Sequence, residues 1–417
     1  MGLDLRPLPG GIAAVPGVRA GAVAAGIKKK GGLDLALIVS EGEPAAAGVY
    51  TTNRVAAAPV RLCRERVGRG PLRAILANSG NANACTGEGG YRDAVALAGA
   101  LARLLGLPEA QVVMASTGVI GERLPRERIE RALPALVASL SPEGGEAAAR
   151  AILTTDTRAK LAAFEVPVHR TSVHRTSVHR TGEGSDTLRV GGIAKGAGMI
   201  APSLATMLAF LATDAALGPE ALGAALRAAV EESFNAVTVD GDMSTNDTVL
   251  LFANGQSGLR PEGELARQWE GALRATCRAL AQAIVRDGEG ATKCVEVRVS
   301  GAASEEDARR AARTVAESLL VKTALFGGDP NWGRVLAAAG RSGARVEPLR
   351  VSLDIGEVAV VRGGEPVRGA WEKEAAAVMA RGEFSLHLDL GLGGGSARVW
   401  TTDLSPEYVR LNAEYRT

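Results

Sequence analysis

The chain is poor in aromatic residues and cysteine, and it has no extended block of positive charge. Phe, Tyr and Trp make up 3% of its 417 residues, which leaves little to stack on nucleic-acid bases. The formal net charge is only +2, and the longest basic run is residues 28–30, so a nucleic-acid-binding protein is disfavoured. The four cysteines, Cys63, Cys85, Cys277 and Cys294, lack paired C-x-x-C spacing. We expect free thiols, and neither a zinc site nor any other bound metal.

Signals for export or membrane insertion are also absent from the sequence. The first residues show neither the positively charged region nor the hydrophobic region of a signal peptide, so we expect a cytoplasmic protein without a membrane anchor. Residues 196–213 carry no charge until Asp214, but this stretch barely reaches the length of a membrane span. It also contains Pro202 and two glycines. We therefore predict a buried segment.

Hydrophobic residues make up 46% of the chain, enough for a large core, and their spacing predicts alternating strands and helices. Buried or half-buried strands are predicted at residues 36–40, 73–77, 111–115, 295–299 and 386–390. In the last of these, His387 should face away from the leucines. The pattern predicts an α/β or α+β fold with layered mixed sheets covered by helices.

Helical periodicity runs through residues 129–140 and 265–284. Ser304 precedes three acidic residues and should cap a further helix by accepting the amide hydrogen three residues on. Pro219 suits the first turn of another helix, because its missing N–H is not needed there.

A short repeat interrupts this pattern, with Val-His-Arg-Thr occurring three times in residues 168–181. It holds His169, His174 and His179, three of the four histidines in the chain. A five-residue period fits neither helix nor strand, so these histidines do not form one metal-binding face. We interpret the repeat as the lengthening of a surface hairpin, followed by turn residues.

One threonine stands out chemically, since Thr206 follows Ala205 in the middle of the apolar run after Lys195. A threonine hydroxyl is a weak nucleophile unless a base lies beside it. Cleavage just before Thr206 would supply that base, because a free α-amine has a pKa of about 7.7 to 8.0 and is partly neutral near pH 7. The alternative is an ordinary buried helix or strand.

Several polar clusters follow apolar segments and are predicted as loops. Residues 78–87 are small and polar, and Ser116-Thr117-Gly118 follows a predicted strand. A glycine N–H and a threonine hydroxyl could together form an oxyanion hole, although a tight turn explains the same residues. Residues 154–157, 287–293 and 326–334 are further polar clusters. None of the glycine patterns matches a dinucleotide or P-loop motif.

Taken in order, these motifs resemble the ornithine acetyltransferase family, also called arginine-biosynthesis bifunctional glutamate N-acetyltransferase. The matching segments cover essentially the whole chain: residues 49–54, 78–87, 116–118, 154–157, 195–198, 205–208, 240–247, 287–293, 329–334 and 401–415. Two departures are visible. The histidine repeat is not a family feature, and Ser203-Leu204 stands where the family often has Asn-Met.

The resemblance implies a fold like that of self-cleaving aminopeptidases of the DmpA type. It implies cleavage between Ala205 and Thr206 into an α chain, 1–205, and a β chain, 206–417. The two would form the two lobes of the molecule and stay associated, as a heterotetramer of two α and two β chains.

The resemblance also assigns roles to residues. Thr206 is the expected nucleophile, and Thr117 and Gly118 the expected oxyanion hole. The implied substrate-binding residues are Thr154, Lys195, Thr206, Glu289, Asn412 and Thr417. Thr155 is an alternative to Thr154, because the repeat makes the spacing to Lys195 uncertain. We further expect that Gly118→Val would leave the fold largely intact while crowding the oxyanion hole.

The implied reaction moves the acetyl group of N-acetylornithine to glutamate through an acetyl-Thr206 ester, without a cofactor. Whether acetyl-CoA also serves as acetyl donor is left open. One alternative is a self-cleaving amidase or aminopeptidase of the same fold, which passes the acyl group to water. Another is a non-catalytic protein that uses the histidine repeat to bind metal.

Overall fold

The computed structural model describes residues 4–168, 186–201 and 207–414. Within these ranges the strands are β1 (Arg6–Pro7), β2 (Val18–Val23), β3 (Leu35–Ser40), β4 (Ala45–Tyr50), β5 (Ala74–Asn81), β6 (Val112–Val119), β7 (Lys160–Pro167), β8 (Thr187–Lys195), β9 (Leu208–Thr213), β10 (Thr248–Ala253), β11 (Cys294–Ala302), β12 (Ser352–Ile355), β13 (Val358–Arg362), β14 (Glu365–Pro366), β15 (Glu383–Asp389) and β16 (Gly395–Thr402). The helices are α1 (Ala58–Arg66), α2 (Gly87–Leu105), α3 (Arg126–Ala138), α4 (Gly145–Ala151), α5 (Pro219–Glu231), α6 (Gly263–Arg286), α7 (Glu305–Glu317), α8 (Leu319–Gly327), α9 (Trp332–Gly340), α10 (Trp371–Met379) and α11 (Pro406–Glu414).

Two sheets stack face to face and are covered on their outer sides by helices. One has the strand order β1-β7-β8-β9-β10-β4, and the other the order β2-β3-β5-β6. The sheets pack against each other through alternate residues such as Phe210 and Ile38. The intervening residues point outward, so Leu211 packs under α5 and α6 whereas Leu37 packs under α2 and α3. The result is a helix–sheet–sheet–helix sandwich.

A second six-stranded sheet forms a separate core. Its order is β14-β13-β12-β15-β11-β16, and one face is covered by helices from the segment 305–379. The predicted alternation in β15 is confirmed, because Leu386 and Leu388 are buried whereas the His387 side chain is 40% exposed and bonds to Ser300 at 2.8 Å.

The apolar run beyond Lys195 supplies a central strand. All six residues of β9 are buried, since both faces of its sheet are covered. The prediction of a buried segment is therefore confirmed for its described residues except Gly198 and Met199, which are half-buried. In the part of the chain that the structure describes, no helix has the length and apolar character needed to cross a bilayer.

Most predicted elements occur within a few residues of their expected bounds, but two predicted loops are wrong. Residues 78–81 belong to β5, and Ser116-Thr117-Gly118 belongs to β6. Both strands extend past their apolar parts because β5 and β6 pair side by side through Asn78↔Ser116 and Gly80↔Gly118. The polar residues are thereby held on a rigid sheet.

The predicted boundary between the α and β chains runs through the first sheet. The strand before it, β8, pairs antiparallel with β9 after it, from Lys195↔Leu208 to Val190↔Thr213. Then β10 joins β9 to β4, which lies near the start of the chain. The two segments therefore share one sheet and one core.

The helix cap predicted at Ser304 is present, with the Ser304 hydroxyl accepting the Asp307 amide hydrogen at 3.1 Å. We expect Ser304→Ala to lower the free energy of unfolding by about 1 kcal/mol, since the amide at the start of α7 loses its partner. The melting temperature should fall by roughly 2 °C. The matched control is the exposed Ser396→Ala. Equal melting temperatures for the two variants would contradict a stabilising cap.

Candidate functional site

A cavity of about 250 Å³ lies where the two stacked sheets meet at one end of the sandwich. Strand β6 and strand β8 end there, and β9 begins there. Six of the sequence-predicted residues line it, together with Thr155: Thr117, Gly118, Thr154, Lys195, Glu289 and Asn412. The predictions for Ala205, Thr206 and Thr417 lie outside the described residues.

The Lys195 side chain connects the two sheets across this cavity. It ends β8, and only 1% of the residue is exposed. Its ammonium donates to Thr154 Oγ1 at 2.8 Å and to Thr117 Oγ1 at 3.3 Å on the neighbouring sheet. Burial lowers the pKa of Lys195, because the charged form loses its hydration, and the nearby Asp156 carboxylate opposes this shift.

The Asp156 carboxylate organises the wall behind Lys195. It accepts hydrogen bonds from the Gly196 amide at 2.6 Å and from Lys160 Nζ at 2.7 Å, and its second oxygen lies 3.8 Å from Lys195 Nζ. Burial disfavours its charge, but Lys195 and Lys160 together bring the pKa of Asp156 down to about 2. Lys160 also pairs with Asp287 at 2.6 Å. Two buried carboxylates thus balance two buried ammonium groups.

The predicted oxyanion residues lie at the end of β6, and side-chain hydrogen bonds from Ser116 and Asn246 hold that strand end in place. The hydroxyl of Ser116 donates to Asn78 Oδ1 at 2.6 Å on β5. The side-chain amide of Asn246 donates to the carbonyls of Ser116 at 2.8 Å and Ala82 at 2.6 Å. Because Ser116 precedes Thr117, these bonds hold the backbone that presents Thr117 and Gly118 to the cavity.

Glycine is required at position 118 for both conformation and space. Its φ is +132°, which L side chains rarely adopt, and an added Cβ would lie 2.4 Å from the Gly80 carbonyl carbon. The expectation that Gly118→Val leaves the fold intact is therefore wrong. Any side chain here would push β6 away from β5.

Glu289 lies in the loop between α6 and β11 and faces Lys195. Its amide donates to the Ala197 carbonyl at 2.8 Å, and its carboxylate accepts from the Asn412 amide at 2.8 Å. The carboxylate also lies against Gly198, where an added Cβ would come within 2.4 Å of it. A buried cation and a carboxylate therefore lie on different walls of a small cavity.

Helix α11 covers the cavity and is tied to the same segment as Glu289. The Tyr408 hydroxyl donates to Asp240 Oδ2 at 3.2 Å, and the Ser405 hydroxyl donates to the Gly290 carbonyl at 2.6 Å. Asp240 in turn accepts the Met199 amide at 2.6 Å. These contacts place Asn412 over Glu289.

A larger groove of about 680 Å³ lies on the second sheet, away from the predicted residues. In its lining, Arg298, Arg309 and Arg398 are paired with acidic neighbours, Arg298 with Glu296 at 2.7 Å. The smaller cavity has a buried cation and the predicted oxyanion strand, so it is the candidate active site. Among the described residues, no cluster of three or more His, Cys, Asp or Glu side chains could hold a metal ion.

Sequence reasoning missed the roles of Asp156 and Asn246. Each belongs to a motif that carried the family resemblance, residues 154–157 or 240–247. In the sequence, the only sign of these residues was a carboxylate or amide beside small polar residues. It could not reveal which side chains become buried and paired, because their partners come from distant parts of the chain.

A buried ammonium, an opposing carboxylate and a strand end with a hydroxyl and an amide define a class of site. It suits acyl chemistry on a small molecule that carries both charges of an amino acid. Residues 19–417 match the model of the ArgJ family. The chain therefore belongs to this family, and it is an acetyltransferase of arginine biosynthesis.

Individual relatives match nearly the whole chain. The arginine biosynthesis bifunctional protein ArgJ of Geobacter sulfurreducens is 50% identical, covering 97% of this chain and 100% of that protein. The ArgJ protein of a Synechococcus species is 47% identical, covering 99% of both chains. The crystal structure of ornithine acetyltransferase from Mycobacterium tuberculosis, in complex with ornithine, is 43% identical. It covers 48% of this chain and 100% of that chain, with a TM-score of 0.43.

Because Lys195 is the predicted substrate-binding cation, removing the charge behind it should shift the pH dependence of substrate binding. Asp156→Asn keeps the shape of the side chain but removes the carboxylate that favours the Lys195 ammonium, so the pKa of Lys195 should fall further. KM should then rise on the alkaline side, and this rise should begin about one pH unit lower than in the wild type.

The measurement is KM against pH for both proteins. Glu296→Gln is the matched control, because it removes a mostly buried carboxylate from an arginine pair on the second sheet. An unchanged alkaline limb in Asp156→Asn would contradict the predicted link between Asp156, the charge of Lys195 and substrate binding.

Proposed function

We propose that the chain cleaves itself between Ala205 and Thr206 and that Thr206 then carries the acetyl group during transfer. One observation supports this most directly. Lys195 pairs with Leu208 in the sheet, while its ammonium bonds to Thr117. The chain that leaves Thr206 therefore enters β9 beside both the buried cation and the predicted oxyanion strand.

The cavity suits the first substrate, N-acetylornithine. The Lys195 ammonium, with Thr154 beside it, can bind the substrate carboxylate, and the Glu289 carboxylate with Asn412 can bind its free amine. Thr417, at the end of the tail that follows Asn412, would complete the substrate contacts. The acetyl carbonyl would then point to Thr117 and Gly118, whose hydroxyl and amide stabilise negative charge on its oxygen.

In the first half-reaction the Thr206 oxygen attacks the acetyl carbonyl carbon, and the α-amine of Thr206 takes the hydroxyl proton. The carbonyl electron pair moves to the oxygen that Thr117 and Gly118 face. When this pair returns, the bond to the ornithine nitrogen breaks, and that nitrogen receives the proton from the α-amine. Ornithine leaves, and acetyl-Thr206 remains.

In the second half-reaction the amine of glutamate attacks the ester carbon and loses a proton. The bond to Thr206 breaks, the threonine oxygen regains a proton, and N-acetylglutamate leaves. No cofactor is needed for either half. Acetyl-CoA would serve as a second donor by the same attack on its thioester carbon, which suits the bifunctional name of the relatives.

The two chains are proposed to stay together after cleavage, as two α and two β chains in the cytoplasm. The β8–β9 pairing supports the first point, because its hydrogen bonds join residues 190–195 to residues 208–213 without the peptide bond between Ala205 and Thr206. The shared apolar core between β8, β9 and α6 gives further support.

Thr206→Ala should abolish both cleavage and turnover, because each requires the threonine hydroxyl. A denaturing gel should show one band near 42.8 kDa for the variant and two smaller bands for the wild type. The control Ser203→Ala removes a nearby hydroxyl and should cleave normally. Two chains in Thr206→Ala, or an uncleaved active wild type, would refute the proposal.

Transfer can be separated from hydrolysis by varying the acceptor. Steady release of ornithine from N-acetylornithine should require glutamate, since acetyl-Thr206 accumulates without an acceptor. The initial rates should give parallel double-reciprocal plots, and mass spectrometry should find one added acetyl group on residues 206–417. Release of ornithine at the same rate with and without glutamate would favour the aminopeptidase-like alternative.

A further inference from the structure

One buried carboxylate beside the cavity has no role in the proposed reaction. Asp247 immediately precedes β10 and is fully buried. Its Oδ1 accepts the Met207 amide hydrogen at 2.9 Å. Among the residues that the structure describes, its Oδ2 has no hydrogen-bond partner. An unpaired carboxylate oxygen in a protein interior is costly, so it calls for a partner.

The neighbouring groups do not supply this partner. The Thr51 hydroxyl faces the same carboxyl, but it donates its single hydrogen to the Ser244 carbonyl at 2.7 Å. The Lys195 ammonium acts on Asp247 only through its charge, because its hydrogen bonds go to Thr117 and Thr154.

Covalent connectivity indicates where the partner lies. Met207, whose amide Asp247 binds, is bonded directly to residue 206. The nitrogen of residue 206 is separated from the Met207 nitrogen by only two carbon atoms, C and Cα. After the proposed cleavage that nitrogen is a free amine with several hydrogens to donate.

We infer that Asp247 is a positioning residue that holds the α-amine of Thr206 through Oδ2, while Oδ1 holds the next amide. This inference rests on the proposed function. Activated nucleophiles commonly have a base that is oriented by a third group. Here the nucleophile is the Thr206 hydroxyl, the base is its α-amine, and Asp247 is the third group.

The proton balance is simple. The hydroxyl proton moves to the α-amine when the Thr206 oxygen bonds to the acetyl carbon, and the resulting ammonium lies against the Asp247 carboxylate. The proton then leaves with the ornithine amine, so Asp247 ends each half-reaction unchanged. No further reactant is required.

The electrostatic surroundings make this pair mutually dependent. Burial raises the pKa of Asp247 well above its usual value, and the Met207 amide, the facing Thr51 hydroxyl and the Lys195 charge partly offset the shift. An adjacent ammonium would stabilise the ionised carboxylate, and the carboxylate would stabilise the ammonium. Other titratable groups lie near this pair. Asp156 and Glu289 face Lys195, and Tyr50 on β4 stays neutral because burial raises its pKa.

Asp247→Asn tests the inference, because it keeps an oxygen for the Met207 amide but removes the charge. The variant should still cleave, since the α-amine does not exist before cleavage. Its kcat should fall roughly 100-fold, as expected for loss of acid–base assistance, with less than about a twofold change in KM for N-acetylornithine. Without the carboxylate the pKa of the α-amine falls, so the acidic limb of kcat/KM should move about one pH unit lower.

Asp214→Asn is the matched control. Asp214 is also a buried aspartate beside β9, but it follows the opposite end of the strand, roughly 20 Å away. Its carboxylate accepts the Arg189 amide at 2.8 Å. This control should leave the acidic limb and kcat unchanged.

Each outcome decides the question. An unshifted acidic limb in Asp247→Asn, or a folded variant that stays wholly uncleaved, would overturn the inference. Should the variant not fold, cyanate labelling of the wild-type Thr206 amine against pH decides it. The inference expects an amine pKa at or above the ordinary value of about 7.7 to 8.0, and a lower value would contradict it. Wild-type cleavage and acetyl labelling test the proposed function separately.

Discussion

The candidate site depends on one buried arrangement of charge, the chain of ion pairs from Lys195 through Asp156 and Lys160 to Asp287. A single ammonium in this position would be strongly disfavoured by loss of hydration. Two carboxylates and two ammonium groups give no net charge, and backbone amides satisfy the remaining lone pairs. This series of ion pairs joins residues 154–157, two strands and the segment that holds Glu289. The same ion pairs therefore set the charge of the cavity and hold its walls in place.

The sandwich supplies the rigidity that this arrangement needs. The predicted oxyanion strand belongs to one sheet and Lys195 to the other, and both sheets are buried on both faces. Neither strand end can move without disturbing close-packed cores on each side. Two glycines allow close approach around the cavity. Gly118 lets β6 lie against β5, and Gly198 lets the Glu289 carboxylate reach the cavity.

Sequence reasoning succeeded where the signal was local. Apolar periodicity located the strands and helices, and the cap at Ser304 was visible from its own side chain and the acidic residues after it. It failed where polar residues become part of a sheet, because Asn78 and Ser116 pair across two strands that are distant in sequence. The site residues came from the family resemblance. Asp156 and Asp247 were missed because their burial and partners depend on the tertiary structure.

The size of the cavity bears on the order in which substrates bind and products leave in the proposed reaction. Pockets that hold drug-sized ligands usually measure about 300 to 1,000 Å³, and this one measures about 250 Å³. That volume suits one amino-acid-sized substrate at a time. In the proposed reaction ornithine and glutamate, which carry opposite side-chain charges, both bind at Lys195 and Glu289. The proposed acetyl-Thr206 ester resolves both constraints, because the first product can leave before the acceptor enters.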